Sequence, residues 1–268
     1  MSASDVTFAG SIPAIYEQYL VPLVFAPYAQ DMAARVRGDA PRRILETAAG
    51  TGAVTRALAA ALPEAEIVAT DLNQAMLDRA STTIPAGRVR WQQADAQALP
   101  FEDGAFDTLV CQFGAMFFPD KVAAYREALR VLRSGGRFRF SVWDTLAANP
   151  ASKVVHDAVG AFFPDDPPRF FERAPFGYCD HDRIRDDLRQ AGFEAVDIET
   201  VEKVTQAPSP REIAIGLCQG TPLRGEIETR AADRLAEVTD RTAAALADHF
   251  GPSAFENRMS ALVVTARA

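Results

Sequence analysis

The sequence predicts an α/β protein: a doubly wound parallel sheet of about seven strands, interrupted by helical insertions. Three observations support this. Runs of β-branched and apolar residues alternate with helix-forming segments from residue 43 to residue 143. The first of these, "RRILETAAGTGAVTRAL", passes from strand-like to helix-like residues through Gly50 and Gly52. Hydrophobic residues make up 48% of the 268 positions and charged residues 24%, the composition of a globular domain with a substantial core.

The elements follow in order. Residues 11–37 have a broad apolar face of Ile15, Tyr16, Tyr19, Leu20, Leu23, Val24, Phe25 and Tyr28, which predicts helix. Pro13 stands early in that stretch, and Pro22 and Pro27 are expected to break it. Strands are predicted at Arg43–Thr47, Glu66–Thr70, Arg88–Gln93, Phe106–Cys111 and Arg137–Trp143, with helices at Val54–Ala61, Gln74–Ser81 and Val122–Leu132 between them. The last helix runs into "RVLRSGG", basic residues followed by glycine, as a helix C-terminus prefers. The alternation then stops over a Pro-, Phe- and Asp-rich stretch. It resumes with a helix at His181–Ala191, a strand at Phe193–Val201, a mostly helical stretch from Glu202 to Met259, and a final strand "SALVVTARA". The chain reads as a single domain over 1–268. Residues 1–40 form an N-terminal helical lid, and insertions at 145–180 and 203–259 form a cap over a substrate.

Composition narrows the function classes. The formal charge is −8 and no Lys/Arg run forms a basic patch, so a small substrate is expected and no nucleic acid. Cys111, Cys179 and Cys218 are too few and too scattered for a disulfide framework, and no pair has metal-ligand spacing, so no metal is expected. The N-terminal residues lack the basic and apolar regions of a signal peptide, and no apolar run approaches the ~20 residues of a membrane span. A soluble, cytoplasmic protein is expected.

In an open α/β sheet, ligands bind beyond the carboxyl ends of the strands. After the first strand, Gly50 and Gly52 admit backbone angles and close approaches closed to other residues, and the following helix N-terminus offers free N–H groups. A structural turn also explains two such glycines. After the second strand, Asp71 lies 19 residues past Gly52, the spacing of a carboxylate that accepts two ribose hydroxyls. Its alternative role is to cap the Gln74 helix. After the third strand, Asp95 suits an adenine amino group beside Ala96, or a loop turn. After the fourth, Gln112 and Phe113 face the ligand, while Phe117 and Phe118 read as core or groove wall. Asp107 lies at the start of its strand, the wrong end for a ligand. A nicotinamide fingerprint is incomplete, because Thr55 stands where its third glycine belongs. The three loops together suit a charged tail, a ribose and an adenine.

The stretches "ILETAAGTG", "IVATDLNQAML", "WQQADAQALPF", "FDTLVCQFGAMFFPD" and "ALRVLRSGGRFRFSVWD" resemble the class I S-adenosylmethionine-dependent methyltransferases, in the group that includes the ubiquinone/menaquinone C-methyltransferases. The resemblance covers roughly Arg42 to Asp144. It implies a Rossmann-like methyltransferase fold of strand order 3-2-1-4-5-7-6 with strand seven antiparallel, which corrects an all-parallel sheet. It also implies S-adenosylmethionine as cofactor. Gly50, Gly52 and the backbone at Ala48 hold its methionine part. Asp71 holds the ribose, Leu72 and Met76 lie beside the adenine, and Asp95 and Ala96 bind that ring. Gln112 closes the site near the sulfonium, and Glu46 holds the amino group indirectly. Ala48 departs from the family, which usually has glycine there; its methyl is expected to cause adjustment without loss of binding.

The implied reaction is in-line methyl transfer, in which a protein supplies mainly orientation and water exclusion. A base is needed only if the acceptor must lose a proton. No catalytic residue can be named. His156 and His249 fall in the insertions and His181 at a helix start. Tyr16, Tyr19, Tyr28, Trp143 and His156 are the candidate substrate residues, and the aromatics of "GAFFPDDPPRFFERAPFGY" suit an apolar pocket. "DDPPRF" follows the wrong strand to be the Asp-Pro-Pro-aromatic signature of DNA amino-methylating enzymes. The expected substrate is a small, aromatic or partly apolar metabolite. The alternatives are C-methylation of a quinone precursor and a non-catalytic S-adenosylmethionine-binding protein, with a nicotinamide dehydrogenase a distant fourth.

Overall fold

A computed structural model describes residues 3–6 and 8–268; residues 1, 2 and 7 of the expected lid lie outside the described residues. Strands β1 (Arg43–Glu46), β2 (Glu66–Asp71), β3 (Arg90–Gln93), β4 (Phe106–Gln112), β5 (Leu132–Trp143), β6 (Ala195–Ala207) and β7 (Phe255–Arg267) form one sheet of order β3-β2-β1-β4-β5-β7-β6. The first five run parallel, and β7 lies antiparallel between β5 and β6. This is the order the resemblance implied. β1, β2 and β4 bury both faces, which is why Ile44, Leu45, Val68, Ala69, Leu109 and Val110 read as unbroken apolar runs. Asp107, at the entry to β4, accepts the Arg42 and Arg43 N–H groups at 2.7 and 2.8 Å and pairs with Arg133, a structural role.

The N-terminal stretch departs from expectation. Its helix does not break at Pro22 or Pro27. It starts as α1 (Ile12–Ile15), widens into a π-helical segment over Tyr16–Phe25, and returns to α geometry in α2 (Ala26–Arg37). The wider π turn carries the chain past Pro22, whose ring and missing N–H disfavour an α-helix interior, and Pro27 falls in the first turn of α2, where it is tolerated.

Between the strands lie α3 (Ala53–Ala61), α4 (Gln74–Ser81) and α5 (Lys121–Val131). α5 ends before "LRSGG", which already belongs to β5. Gly136 is a glycine there because a Cβ would come 2.8 Å from Arg133 O and 3.0 Å from Asp107 O, and not because it caps a helix. The first insertion holds α6 (Pro150–Phe162) and α7 (Phe170–Arg173); α8 (His181–Ala191) follows with Asp180 as its cap. The second insertion holds α9 (Pro210–Gln219), α10 (Leu223–Arg230) and α11 (Leu235–Phe250). β6 and β7 continue into it, because Glu202–Ala207 pairs with Phe255–Ser260.

Two hydrophobic cores result. One surrounds the sheet. The other joins Leu20 and Leu23 of the π segment to Val155, Phe170, Ile213 and Leu246 of the insertions. Val24, Phe25, Phe117 and Phe176 pack against both. No helix among the described residues is long and apolar enough to cross a membrane.

Candidate active site

A cavity of about 280 Å³ lies at the seam between the two cores. Its floor is the carboxyl ends of β1, β2, β4 and β5; its roof is the π segment and the insertions.

The β1–α3 turn is strained. Ala48 takes φ +52° and Phe113, after β4, takes +53°, both in the left-handed region that costs a non-glycine residue of order 1 kcal/mol. This explains why the family favours glycine at the first position. The Ala48 methyl is accommodated because residue 114 is glycine: a Cβ there would overlap Ala48 Cβ. Gly50 also has a positive φ, +57°, and its N–H donates to Asp71 Oδ2 at 2.8 Å. Asp71 Oδ1 accepts the Asn73 N–H at 2.8 Å. The carboxylate thus ties the first loop to the second. It does not cap α4; Asn73 occupies the N-cap position. Burial raises the Asp71 pKa, with the Asn73 and Gly50 N–H groups opposing.

Ala48, Gly50, Asp71, Leu72, Met76, Asp95, Ala96, Gln112 and Phe113 all line the cavity. Asp95 lines it and also accepts the Gln97 N–H at 2.8 Å in a turn. Glu46 lies in a small adjoining recess with Tyr16, Thr51 and Gln112. Gly52 does not line the cavity. Its φ is +83°, and a Cβ would meet Ala80 Cβ and the Trp91 ring at 3.2 Å, so it serves close packing.

Among the candidate substrate residues, Tyr16 and Trp143 line the cavity, and Tyr19, Tyr28 and His156 do not. Tyr28 is 2% exposed, donates to Val201 O at 3.2 Å and meets Phe113 and Trp143 edge-on, so it is core. His156 sits against Phe171 and Glu172 within the insertion. Trp143 stacks on Phe113 with centroids 3.9 Å apart, and Tyr16 stacks on Phe25 at 4.8 Å. Phe170, Phe171 and Phe176 come from the aromatic stretch noted in the sequence. Individually unforeseen are Val6, Phe8, Phe25, Asn73, Ile213, Leu217 and Met259. For Ile213 and Leu217 of α9 the signal is weak, because apolar residues on an insertion helix read as ordinary packing.

Burial pushes the Glu46 carboxyl up to about 8; the Thr55 hydroxyl, donating at 2.7 Å, opposes this and the Asp71 charge adds to it. The folded protein therefore holds this proton at pH values where an unfolded glutamate, with its ordinary pKa near 4.5, has lost it. The stabilisation is complete below about pH 4.5 and is lost as pH rises through about 8. Glu46→Gln is expected to remove this contribution, by roughly 1 kcal/mol per pH unit across the window, and to be more stable than wild type at pH 8. Urea unfolding of both proteins at pH 5.5 and 8 checks it.

The residues fit S-adenosylmethionine on features of the chain itself. Glycine and a left-handed Ala48 clear the backbone of the first loop. A buried carboxylate lies at the second loop. The Gln112 Oε1 and Thr51 Oγ1 atoms bordering the recess are buried without a hydrogen-bond partner among the described residues. Comparison with known proteins agrees. A family model described as a methyltransferase domain matches residues 44–136. The ubiquinone/menaquinone biosynthesis C-methyltransferase UbiE of Ectopseudomonas mendocina is 34% identical over 169 residues, covering 58% of this chain and 66% of that protein. UbiE of Escherichia coli O1:K1 is 31% identical over 168 residues, covering 58% and 67%. The chain belongs to the class I S-adenosylmethionine-dependent methyltransferases. This methyltransferase also shares its fold with phosphoethanolamine N-methyltransferase 2 of Haemonchus contortus, solved with S-adenosyl-L-methionine, at a TM-score of 0.58 and 16% identity over 95% of this chain and 56% of that one.

Proposed function

We propose that this protein is a cytoplasmic methyltransferase acting on a small, aromatic or partly apolar metabolite. One observation carries the reading. Away from the nucleotide loops the cavity is lined by Leu20, Val24, Phe25, Trp143, Phe176, Ile213 and similar side chains, and three of the polar residues among them already hold hydrogen bonds within the protein. Asn149 donates to Thr145 O and Ser260 O and accepts from Ser260 N, Asn257 donates to Leu23 O, and Thr221 donates to Leu217 O. A polar acceptor would lose hydrogen bonds to water and find few replacements. Three unpaired cysteines suit a reducing compartment.

S-adenosylmethionine, when bound, supplies a methyl group on a positively charged sulfur. Asp71 would hold the ribose, Leu72, Met76, Asp95 and Ala96 the adenine, Gln112 would close the site near the sulfonium, and Glu46 would hold the amino group indirectly. The insertions and the N-terminal helix act as the cap that excludes water. The titratable side chains lining the cavity among the described residues are Tyr16, Asp71 and Asp95. Burial raises the Tyr16 pKa, so its hydroxyl keeps its proton. The site thus favours an acceptor whose nucleophile is available without a side-chain base, such as an electron-rich ring carbon or an already ionised phenol.

The two UbiE relatives favour a second reading, C-methylation of a quinone precursor. Transfer of a labelled methyl group to a panel of acceptors separates the readings. Turnover is expected with small hydroxylated arenes. Turnover restricted to prenylated hydroquinones selects the second reading, and none with any acceptor, despite cofactor binding, contradicts both.

A further inference from the structure

Resting on the methyltransferase reading above, we propose that Asn257 selects the methyl acceptor: it offers the apolar chamber a buried hydrogen-bond acceptor, and so favours a molecule carrying a neutral hydroxyl or N–H at the end remote from the reacting atom. The arrangement begins at a proline. Pro27 has no N–H to offer the Leu23 carbonyl four residues earlier. Two side chains of the sheet take that place. Thr205 of β6 donates its hydroxyl to Leu23 O at 2.7 Å, and Asn257, its register partner on β7, donates Nδ2 to the same oxygen at 3.2 Å. Nδ2 also lies 3.4 Å from Thr205 Oγ1, which accepts because its proton is committed to Leu23. A carbonyl oxygen can only accept, so the end of the carboxamide that faces Leu23 is its nitrogen.

The oxygen is left over. Asn257 is 2% exposed and lines the cavity, and its Oδ1 has no hydrogen-bond partner among the described residues. The other polar side chains of this half differ. Asn149 uses both ends of its amide, and Thr221 both donates to Leu217 O and accepts the Leu223 N–H. Ser152 of α6 makes no side-chain hydrogen bond among the described residues, but a hydroxyl can donate or accept and imposes neither on a ligand. An amide oxygen demands a donor. The charged residues lining the cavity, Asp71 and Asp95, belong to the nucleotide loops, so a cationic donor here would be buried without a counter-charge and a neutral one is favoured. The position is also defined. Asn257 and Ala261 share one face of β7, and Ala261 pairs with Trp143 at the end of β5. Asn257 therefore stands four residues, about 13 Å, along β7 beyond that end, on the side away from the nucleotide loops. An isostere that cannot donate leaves the buried oxygen unpaired, which is the stronger part of such selection.

Calorimetric titration with 2-naphthol and with 2-fluoronaphthalene, in the presence of S-adenosylhomocysteine, tests this in wild type, Asn257→Leu and Asn257→Thr. The two probes differ in one group, and fluorine cannot donate. Wild type is expected to bind the naphthol about tenfold more tightly. In Asn257→Leu the two affinities become nearly equal, chiefly through weaker binding of the naphthol. Threonine suits a strand, and its hydroxyl can donate to Leu23 O in place of Nδ2, so Asn257→Thr removes Oδ1 more gently and should lose the preference as well. It serves if the leucine variant does not fold. A merely structural role for Asn257 would weaken both probes alike and leave their ratio unchanged. No preference in wild type, or a preference kept in a folded variant, overturns the inference alone. Binding of neither probe to wild type overturns the apolar-acceptor reading together with it.

Discussion

Replacing Asp71 with alanine is expected to weaken S-adenosylhomocysteine binding by about 1.5–3 kcal/mol, or roughly 10- to 150-fold. Two effects combine. The variant removes the carboxylate assigned to the ribose. It also removes the acceptor of the Gly50 and Asn73 N–H groups, so the first two ligand loops lose their tie. Asp71→Asn separates the effects. It keeps the shape and one acceptor oxygen but sets an NH₂ group against one of the two N–H donors. Its affinity should fall between those of wild type and alanine. Calorimetric titration of all three, with melting curves to confirm folding, reads this directly. An alanine variant that binds as wild type does would remove Asp71 from the site.

Gly114→Ala is expected to destabilise the protein by about 1–3 kcal/mol, the usual penalty for overpacking a tight interior. The new Cβ would overlap Ala48 Cβ and lie 2.8 Å from Cys111 Sγ. Both Ala48 and Phe113, its neighbour, already hold left-handed backbone angles, so neither loop yields easily. Ala48→Gly removes the main obstacle. It also relieves the strain at residue 48, against the greater freedom glycine gives the unfolded chain, so alone it should be nearly neutral. The double variant should therefore recover most of the lost stability, and the two changes should not add. A thermal or urea double-mutant cycle measures the coupling; simple additivity would show that residues 48 and 114 do not confine each other.

The sheet and the loops proposed to hold the nucleotide were legible for a physical reason. Their residues are fixed by short-range demands that show in composition: buried strands need unbroken apolar runs, and sharp turns need Gly50 and Gly52. Even so, a glycine in such a turn can serve helix packing, as Gly52 does against Ala80 and Trp91. The acceptor half was less legible. Phe25, Ile213 and Leu217 are brought together by the second core, which depends on contacts between segments far apart in sequence. The pass through Pro22 depends on a π-helical segment that periodicity alone does not reveal. The extension of β6 to Ala207 was hidden because its outer half pairs only with β7 and is largely exposed, so it lacks a continuous apolar signal.

The central claim is that one cavity, at the seam of the two cores, holds both the cofactor and an apolar acceptor. A crystal structure with S-adenosylhomocysteine tests it most directly. The account predicts the ribose on Asp71, the adenine between Leu72 and the Asp95–Ala96 turn, and the sulfur directed toward the chamber of Phe25 and Trp143. A nucleotide bound elsewhere, or a sulfur directed away from that chamber, would contradict it.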